Sequence, residues 1–456
     1  MKRSDFSGRK SKLREVGNRD GEDRISSLPD AIISHILSFL PTKAAVATSV
    51  LSSRWKFIWT SVPNLCFDDR LFSECEDTPA LTRFENFVNR VILLCDYSVN
   101  INKFSIICQK FSGLASLKFW VSYAITRRVR ELELSINGYN NVELPDSICS
   151  SKTLEVLKLK SDFVFKVPSS GMCFPCVKIL HLEMLYPKNN MVEKLFTICP
   201  LLEDLSIKGI IRGFGSVTKF NISSRTLKKL TINLEDYNDL EDKHQVVVRA
   251  PNLEHLHIRD STPVPYVVHE LHSLSKVVFS IVDVFMEDFD PPDADCVVQF
   301  LKGIANTKFL SLCVGSMSAL ECALRDVVPA FPNLTHLEMT IADLGCRVFP
   351  IILSSAPKLE AFVLDQKLDA DFGWIEPPCV PICLLSHTKK MEIKGFNGME
   401  NQLEMIRYLL KHSVVLNTMI IELLGKWSRR KGSREKLRRI LEMFEKGSPT
   451  CNILVP

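Results

Sequence analysis

The feature that most constrains the fold of this chain is an apolar triplet that recurs through its middle. In each copy the second apolar residue lies three positions after the first, and the third lies five positions after the first. The last two are therefore two positions apart and face the same side of a strand. Such a unit cannot bury its apolar side alone, and stacked units therefore share one core. Successive copies start 23, 25, 25 and 26 residues apart, at Leu154-Leu157-Leu159, Val177-Leu180-Leu182, Leu202-Leu205-Ile207, Leu227-Leu230-Ile232 and Leu253-Leu256-Ile258.

Looser copies of the triplet extend the array in both directions. A period in the 20s with this spacing is the signature of leucine-rich repeats, which form an extended curved parallel sheet. The units lack the Asn or Cys that regular repeats place after the strand, so we expect an irregular convex side. The stretched interval that carries Pro291-Pro292 predicts a solvated spacer loop. The looser copies are Ile101-Phe104-Ile106, Val129-Leu132-Leu134, Leu274-Val277-Phe279, Leu334-Leu337-Met339 and Leu359-Phe362-Leu364.

The N-terminal segment has a different pattern. Residues 1–20 are basic and almost free of apolar side chains, so we expect a disordered tail. Residues 23–67 predict three short helices: one ended by Pro41, one over about Lys43–Val50, and one with Trp55, Ile58 and Trp59 on a single face. A module this small with so dense an apolar ridge must share its core, either with a partner protein or with the rest of the same chain.

These residues resemble an F-box, the module that binds a Skp-family adaptor. The matching positions are Leu28, Pro29, Asp30, Ile36, Leu37, Leu40, Pro41, Ser49, Leu51, Ser52, Arg54, Trp55, Lys56 and Trp59. The resemblance implies that the adaptor is held by Leu28, Pro29, Ile36, Leu37, Leu40, Pro41, Leu51, Trp55 and Trp59.

The C-terminal segment is similar to the FBD domain found at the end of many plant F-box proteins. The resemblance rests on Trp374, Pro378, Pro381, Cys383, Leu384, Phe396, Gly398, Glu400, the helix 404–412 and the closing Ser448, Pro449 and Cys451. Two further triplets, Thr388-Met391-Ile393 and Leu416-Met419-Ile421, predict that it extends and caps the repeat sheet. We therefore expect an α/β chain with a tail over 1–20, a three-helix F-box over 21–68, a repeat solenoid over 69–370 and an α/β FBD domain over 371–456.

The resemblance implies a substrate receptor without an active site, cofactor or metal. The F-box would hold the Skp adaptor and, through it, the cullin and RING subunits of a ubiquitin ligase, while the repeats and the FBD domain hold a target protein. No Gly-x-Ser-x-Gly elbow or phosphate-binding loop occurs in the sequence. Two alternatives stay open: a scaffold that uses the adaptor without degrading its partners, and a sensor whose repeats bind a small ligand.

The outward positions of the repeat strands are the candidate target site. They carry charges of mixed sign that lean positive and offer no stacking aromatics, which suits an acidic protein segment better than a nucleic acid. The tentative target-binding residues are Lys158, Lys160, His181, Lys208, His257 and Arg259.

Composition limits the class of partner and the cellular compartment that we expect. The 57 Lys and Arg against 53 Asp and Glu leave a net charge of only +4, too small for a surface matched throughout to a polyanion. No apolar run is long enough to span a bilayer, and the scattered, odd-numbered cysteines predict reduced thiols, so we expect the nucleus, the cytoplasm or both. A basic stretch near Arg429-Arg430-Lys431 reads either as a nuclear-import signal or as a solvated helix face.

Overall fold

The structure is a computed structural model of the 456-residue chain. The predicted basic tail, the acidic part of the stretched interval and Arg429-Arg430-Lys431 lie outside the residues that it describes. Those residues are 25, 27–72, 79–109, 113–137, 142–161, 163–164, 174–184, 189–211, 218–236, 244–261, 264–282, 291–323, 328–342, 347–366, 373–425 and 432–456.

The strands follow one another through the chain with short intervals. They are β1 (Asn64–Asp68), β2 (Lys103–Cys108), β3 (Glu131–Ile136), β4 (Val142–Glu143), β5 (Val156–Lys160), β6 (Phe163–Val164), β7 (Ile179–Met184), β8 (Asp204–Ile211), β9 (Thr218–Ser223), β10 (Lys229–Asp236), β11 (His244–Arg249), β12 (His255–Asp260), β13 (Tyr266–His269), β14 (Lys276–Ile281), β15 (Phe309–Leu312), β16 (His336–Ile341), β17 (Ala361–Gln366), β18 (Lys390–Phe396), β19 (Thr418–Leu423) and β20 (Asn452–Leu454).

Fifteen of the described strands form one parallel sheet in chain order. Its order is β1-β2-β3-β5-β7-β8-β10-β12-β14-β15-β16-β17-β18-β19-β20. The triplets set its register, because Leu157 pairs with Leu180, Leu180 with Leu205, and so on to Leu256. These leucines are at most 1% exposed, whereas the residues between them face outward. The predicted parallel solenoid of α/β class is thereby confirmed.

Helices cover the buried face of the sheet. Phe84, Trp120, Phe300 and Phe349 are fully buried side chains that they contribute to one continuous core. The α-helices in the described residues are α1 (Asp30–Leu37), α2 (Thr42–Ala47), α3 (Ala80–Leu94), α4 (Leu114–Thr126), α5 (Asn189–Ile198), α6 (Pro291–Gly303), α7 (Val314–Cys322), α8 (Val348–Ser355), α9 (Ile382–Ser386), α10 (Glu400–His412) and α11 (Ser433–Glu442).

The convex side is more regular than the sequence predicts. Helix α6 begins at Pro291, so the expected spacer loop is wrong from that residue onward. Proline is well placed in a first helical turn, and Val297, Phe300 and Leu301 bury the face of α6 that packs on the core. Another part of this side is a second parallel sheet of three strands in the order β13-β11-β9.

A buried polar cluster joins the second sheet to the main one. His244 Nε2 of β11 lies 2.7 Å from Asp260 Oδ2 of β12, and the Tyr266 hydroxyl of β13 donates to the same oxygen at 2.5 Å. All three side chains are almost fully buried. Burial, with the neighbouring Asp260 carboxylate, raises the pKa of Tyr266 well above its usual value. The cluster is a structural tie between the two sheets.

The main sheet runs through both expected domain boundaries. Strand β1 ends the N-terminal module and pairs with β2, while β18, β19 and β20 of the C-terminal segment continue the same ladder. The predicted extension of the sheet by the last two triplets therefore holds. The domain bounds themselves stay a prediction, because the sheet gives no break at which to place them.

The cysteines differ from expectation at one position. Most of the described cysteines are free thiols, but Cys149 is disulfide-bonded. Burial raises the pKa of the Cys95 and Cys383 thiols to about 11, which keeps both protonated and unreactive near neutral pH.

Candidate functional site

The N-terminal module presents an apolar surface to solvent. Helix α1 is apolar on two faces: Ile33 and Leu37 point into the core, and Ile32 and Ile36 point outward, each pair being one helical turn apart. A helix that is apolar all round needs a partner on its second face as well. The exposed set, which we call the apolar ridge, comprises Ile25, Ile32, Ile36, Phe39, Leu40, Val50, Leu51 and Phe57.

The structure corrects part of the predicted adaptor site. Leu37, Trp55 and Trp59 are at most 6% exposed and pack in the core of the chain itself, so they support the surface and do not form it. The third predicted helix is a 3₁₀ turn over Trp55–Ser61 with Trp55, Ile58 and Trp59 on its inner side. The core of the N-terminal module is therefore continuous with the core of the rest of the chain.

The remaining predicted adaptor residues are accessible. Leu28 is half-buried, and Pro29, Ile36, Leu40, Pro41 and Leu51 are exposed. Sequence reasoning missed Ile32, Phe39, Val50 and Phe57, although the one-turn spacing of Ile32 and Ile36 could have marked the outer face of α1.

Polar contacts hold the ridge in place. The Arg54 guanidinium donates to Asp30 Oδ1 at 2.6 Å and also to the Leu28 carbonyl, which fixes the start of α1. Ser34 Oγ donates to the Ser61 carbonyl at 3.1 Å. The amide of Cys66 in β1 donates to Thr42 Oγ1 of α2 at 2.7 Å. The first bonds hold α1 to the segment around the 3₁₀ turn, and the last holds α2 to strand β1 at the edge of the main sheet.

The outward face of the sheet carries mostly neutralised charge along β2 to β8. Lys158 lies 3.0 Å from Glu131, Lys160 lies 3.0 Å from Glu183, and Lys208 lies 3.5 Å from the same glutamate. His181 Nε2 is 3.5 Å from Asp204 Oδ1, which is long for a hydrogen bond. Four of the six tentative target residues therefore already face a carboxylate.

The middle of the same face is different. We define the basic block as the first three outward positions of β10, β12 and β14. Within the described residues, no carboxylate occupies a block position or lies within ion-pairing distance of His255, His257, Arg259 or Lys276. Lys229 alone reaches one, Asp204 at 3.1 Å on β8. The block comprises Lys229, Thr231, Asn233, His255, His257, Arg259, Lys276, Val278 and Ser280.

The pKa of His257 reflects its burial first and the neighbouring cations second. Burial, together with the neighbouring cations Arg259, Lys229 and Lys276, holds the pKa of His257 below its usual value. The Oδ1 atom of Asn233, beside Arg259 in the register, is buried and lacks a hydrogen-bond partner. Strand β12 therefore carries the two tentative target residues, His257 and Arg259, that face no carboxylate within the described residues.

The described part of the chain shows neither a metal-binding cluster nor a helix able to cross a membrane. No group of three or more His, Cys, Asp or Glu side chains in those residues is arranged to hold a metal ion. No helix among them combines the length and the apolar character that crossing a membrane requires. The His244, Asp260 and Tyr266 cluster resembles catalytic machinery only in composition, because all three side chains lie in the interior.

A parallel repeat sheet that follows a helical N-terminal module with an exposed apolar ridge defines a leucine-rich-repeat protein. Family profiles match the chain in three places: the F-box domain over residues 25–67, the LRR repeats of the FBD-associated F-box protein At5g56370 over 117–278, and FBD over 376–421. The chain belongs to the plant F-box/FBD/LRR-repeat family.

Relatives from Arabidopsis thaliana match over nearly the whole length. The FBD-associated F-box protein At5g22730 is 30% identical over 95% of this chain and 94% of its own. The F-box/FBD/LRR-repeat protein At5g22660 is 31% identical over 87% of this chain and 89% of its own. The F-box/FBD/LRR-repeat protein At4g26340 is 30% identical over 87% and 91% respectively. F-box domains generally bind adaptors of the Skp1 type, and F-box proteins generally act as non-catalytic recognition subunits of ubiquitin ligases.

Proposed function

We propose that this chain is the substrate-recognition subunit of a Skp–cullin–F-box ubiquitin ligase. The observation that carries the proposal is the apolar ridge on the F-box, which leaves large apolar side chains such as Phe39 and Val50 at 75% and 85% exposure. Large apolar side chains exposed together on a small helical module are typical of a protein interface. The Skp-family adaptor is the partner proposed to cover them, with the cullin and RING subunits beyond it.

The mechanism is proximity. A target held on the outward face of the sheet and a ubiquitin carrier held through the adaptor belong to one assembly, so their encounter becomes effectively intramolecular. The chain contributes binding and orientation, and the chemistry of ubiquitin transfer belongs to its partners. The proposed compartment is the nucleus, the cytoplasm or both, where such an assembly would work.

Co-purification with a Skp adaptor tests the proposal. The Leu28→Ala, Pro29→Ala double variant is expected to lose adaptor binding by about thirtyfold or more, because truncating interface anchors commonly costs about 2 kcal/mol. Undiminished co-purification of a normally folded double variant would refute the assignment.

Proteasome inhibition separates the receptor from a scaffold. Proteins captured by a degradative receptor accumulate when the proteasome is blocked, whereas partners of a scaffold keep their abundance. Capture followed by mass spectrometry, with and without the inhibitor, measures this difference.

A further inference from the structure

We propose that the basic block is the docking site for an anionic segment of the target protein. The inference deepens the proposed function, on which it rests, by naming the class of target. It also narrows the tentative target site to its centre, because the structure neutralises the lysines on the strands before the block.

The charge balance along the sheet carries the argument. On one side of the block Lys103, Lys158 and Lys160 each lie about 3 Å from a glutamate of a neighbouring strand. On the other side Glu392 of β18 accepts from Lys394 at 3.1 Å and lies 3.9 Å from Lys390. Among the described residues, Lys229 is the one cation of the block with such a partner, so the positive charge of Arg259 and Lys276 remains available to a ligand.

Glu235 is the nearest outward acid on β10, one step beyond Asn233. It already has an interaction partner of its own. Arg259 is exposed, and its guanidinium can form two parallel hydrogen bonds to one carboxylate or phosphate.

The dimensions of the block fit an extended peptide. Three parallel strands span roughly 10 Å from the first to the third, and five residues along a strand span about 13 Å. This area accommodates three or four residues of an extended chain and therefore two or three anionic side chains. Phe309, at the edge of the block, already lies under Lys276 Nζ at 4.4 Å.

A nucleic acid fits the block less well. Single strands are held by large aromatic side chains on which successive bases stack, and the nine block positions include no Phe, Tyr or Trp. Duplexes are held by many phosphate contacts spread over a longer surface, whereas cations elsewhere on this sheet are paired internally. An acidic or phosphorylated protein segment is the occupant to which charge complementarity points.

Peptide binding to the full-length chain tests the inference. The probes are fluorescein-labelled twelve-residue peptides of alternating Gly and Glu, of Gly and phosphoserine, and of Gly and Gln, with a single-stranded oligonucleotide of equal length. Polarisation is measured across a salt series. We expect both anionic peptides to bind and the Gln peptide not to bind, and the stronger of the two anionic peptides identifies carboxylate or phosphate as the source of the charge.

Two double variants each remove two positive charges from the outward face of the sheet, one pair inside the basic block and one pair outside it. Arg259→Gln with Lys276→Gln is expected to weaken anionic peptide binding by about tenfold or more. The matched control, Lys390→Gln with Lys394→Gln, removes two internally paired cations about 24 Å away and is expected to change binding by less than about twofold.

Four outcomes would overturn the inference. The first two are equal binding of the Gln peptide and no binding of either anionic peptide. The other two are equal losses in the two double variants and tighter binding of the oligonucleotide than of both anionic peptides. Adaptor binding is measured on the same preparations. If the unaltered chain binds the adaptor but neither anionic peptide, only the proposed class of target is rejected. If the unaltered chain does not bind the adaptor, the proposed function is rejected.

Discussion

Phe39 allows the sharpest test of the adaptor surface. Its side chain is 75% exposed, so covering it would remove on the order of 150 Å² of apolar surface from water. At about 25 cal/mol per Å² this burial contributes roughly 3 to 4 kcal/mol, of which alanine retains a part. Phe39→Ala is therefore expected to cost about 2 kcal/mol of adaptor affinity, a thirtyfold rise in Kd. Calorimetric titration with a purified Skp adaptor measures the change.

The chain supplies a matched control in Phe119. This side chain is 53% exposed on α4, outside the F-box, so Phe119→Ala should leave Kd unchanged. Both substitutions remove exposed atoms, and neither should lower the thermal midpoint appreciably. Trp59→Ala, by contrast, empties a buried site and should cost about 3 to 5 kcal/mol of folding stability. Equal Kd values for Phe39→Ala and the unaltered chain would refute the argument that the apolar ridge binds the adaptor.

Three further predictions concern other parts of the chain. Asp260→Ala should lower stability by about 3 to 5 kcal/mol, measured by urea unfolding, because it leaves buried His244 and Tyr266 without their shared acceptor. Binding of the Gly-Glu peptide should tighten as pH falls from 8 towards 6 and level off below the pKa of His257 in the free protein. The bound anionic peptide offsets the cations Lys229, Arg259 and Lys276 and so raises the pKa of His257, which means that binding takes up a proton. His257→Gln should therefore flatten the pH dependence of peptide affinity. If the basic stretch directs nuclear import, a reporter fusion should leave the nucleus when Gln replaces Arg429, Arg430 and Lys431.

The sequence predicted the strands better than the surfaces that they connect. Each triplet places two residues on one side of a strand, and the structure pairs Leu205 with Leu230 and Leu230 with Leu256 as the spacing requires. A period of two is short and unambiguous. Helix α6 was harder to recognise, because Pro291-Pro292 and nearby acids favour a loop, although Val297, Phe300 and Leu301 recur at helical spacing.

The adaptor residues show why a motif alone leaves burial undecided. Ile36 and Leu37 are neighbours in the matched motif, yet one is 45% exposed and the other 1%. The motif identifies the module, whereas the direction of each side chain depends on how α1 packs against the 3₁₀ turn. Likewise, alternation marks Lys158 and Arg259 as outward residues, but only the register reveals that Glu131 neutralises the first.

The continuity of the sheet from β1 onward has a geometric consequence. Seven strand spacings separate β1 from β12, so the F-box edge and the basic block lie about 34 Å apart along the sheet. Backbone hydrogen bonds hold each strand at a constant spacing from the next. The distance between the F-box edge and the basic block is therefore proportional to the number of strands between them. Inserting or removing one repeat would shift a docked target by about 5 Å relative to the adaptor and rotate it by the twist between neighbouring strands. Repeat number would thereby select which lysines of the target come within reach of ubiquitin transfer.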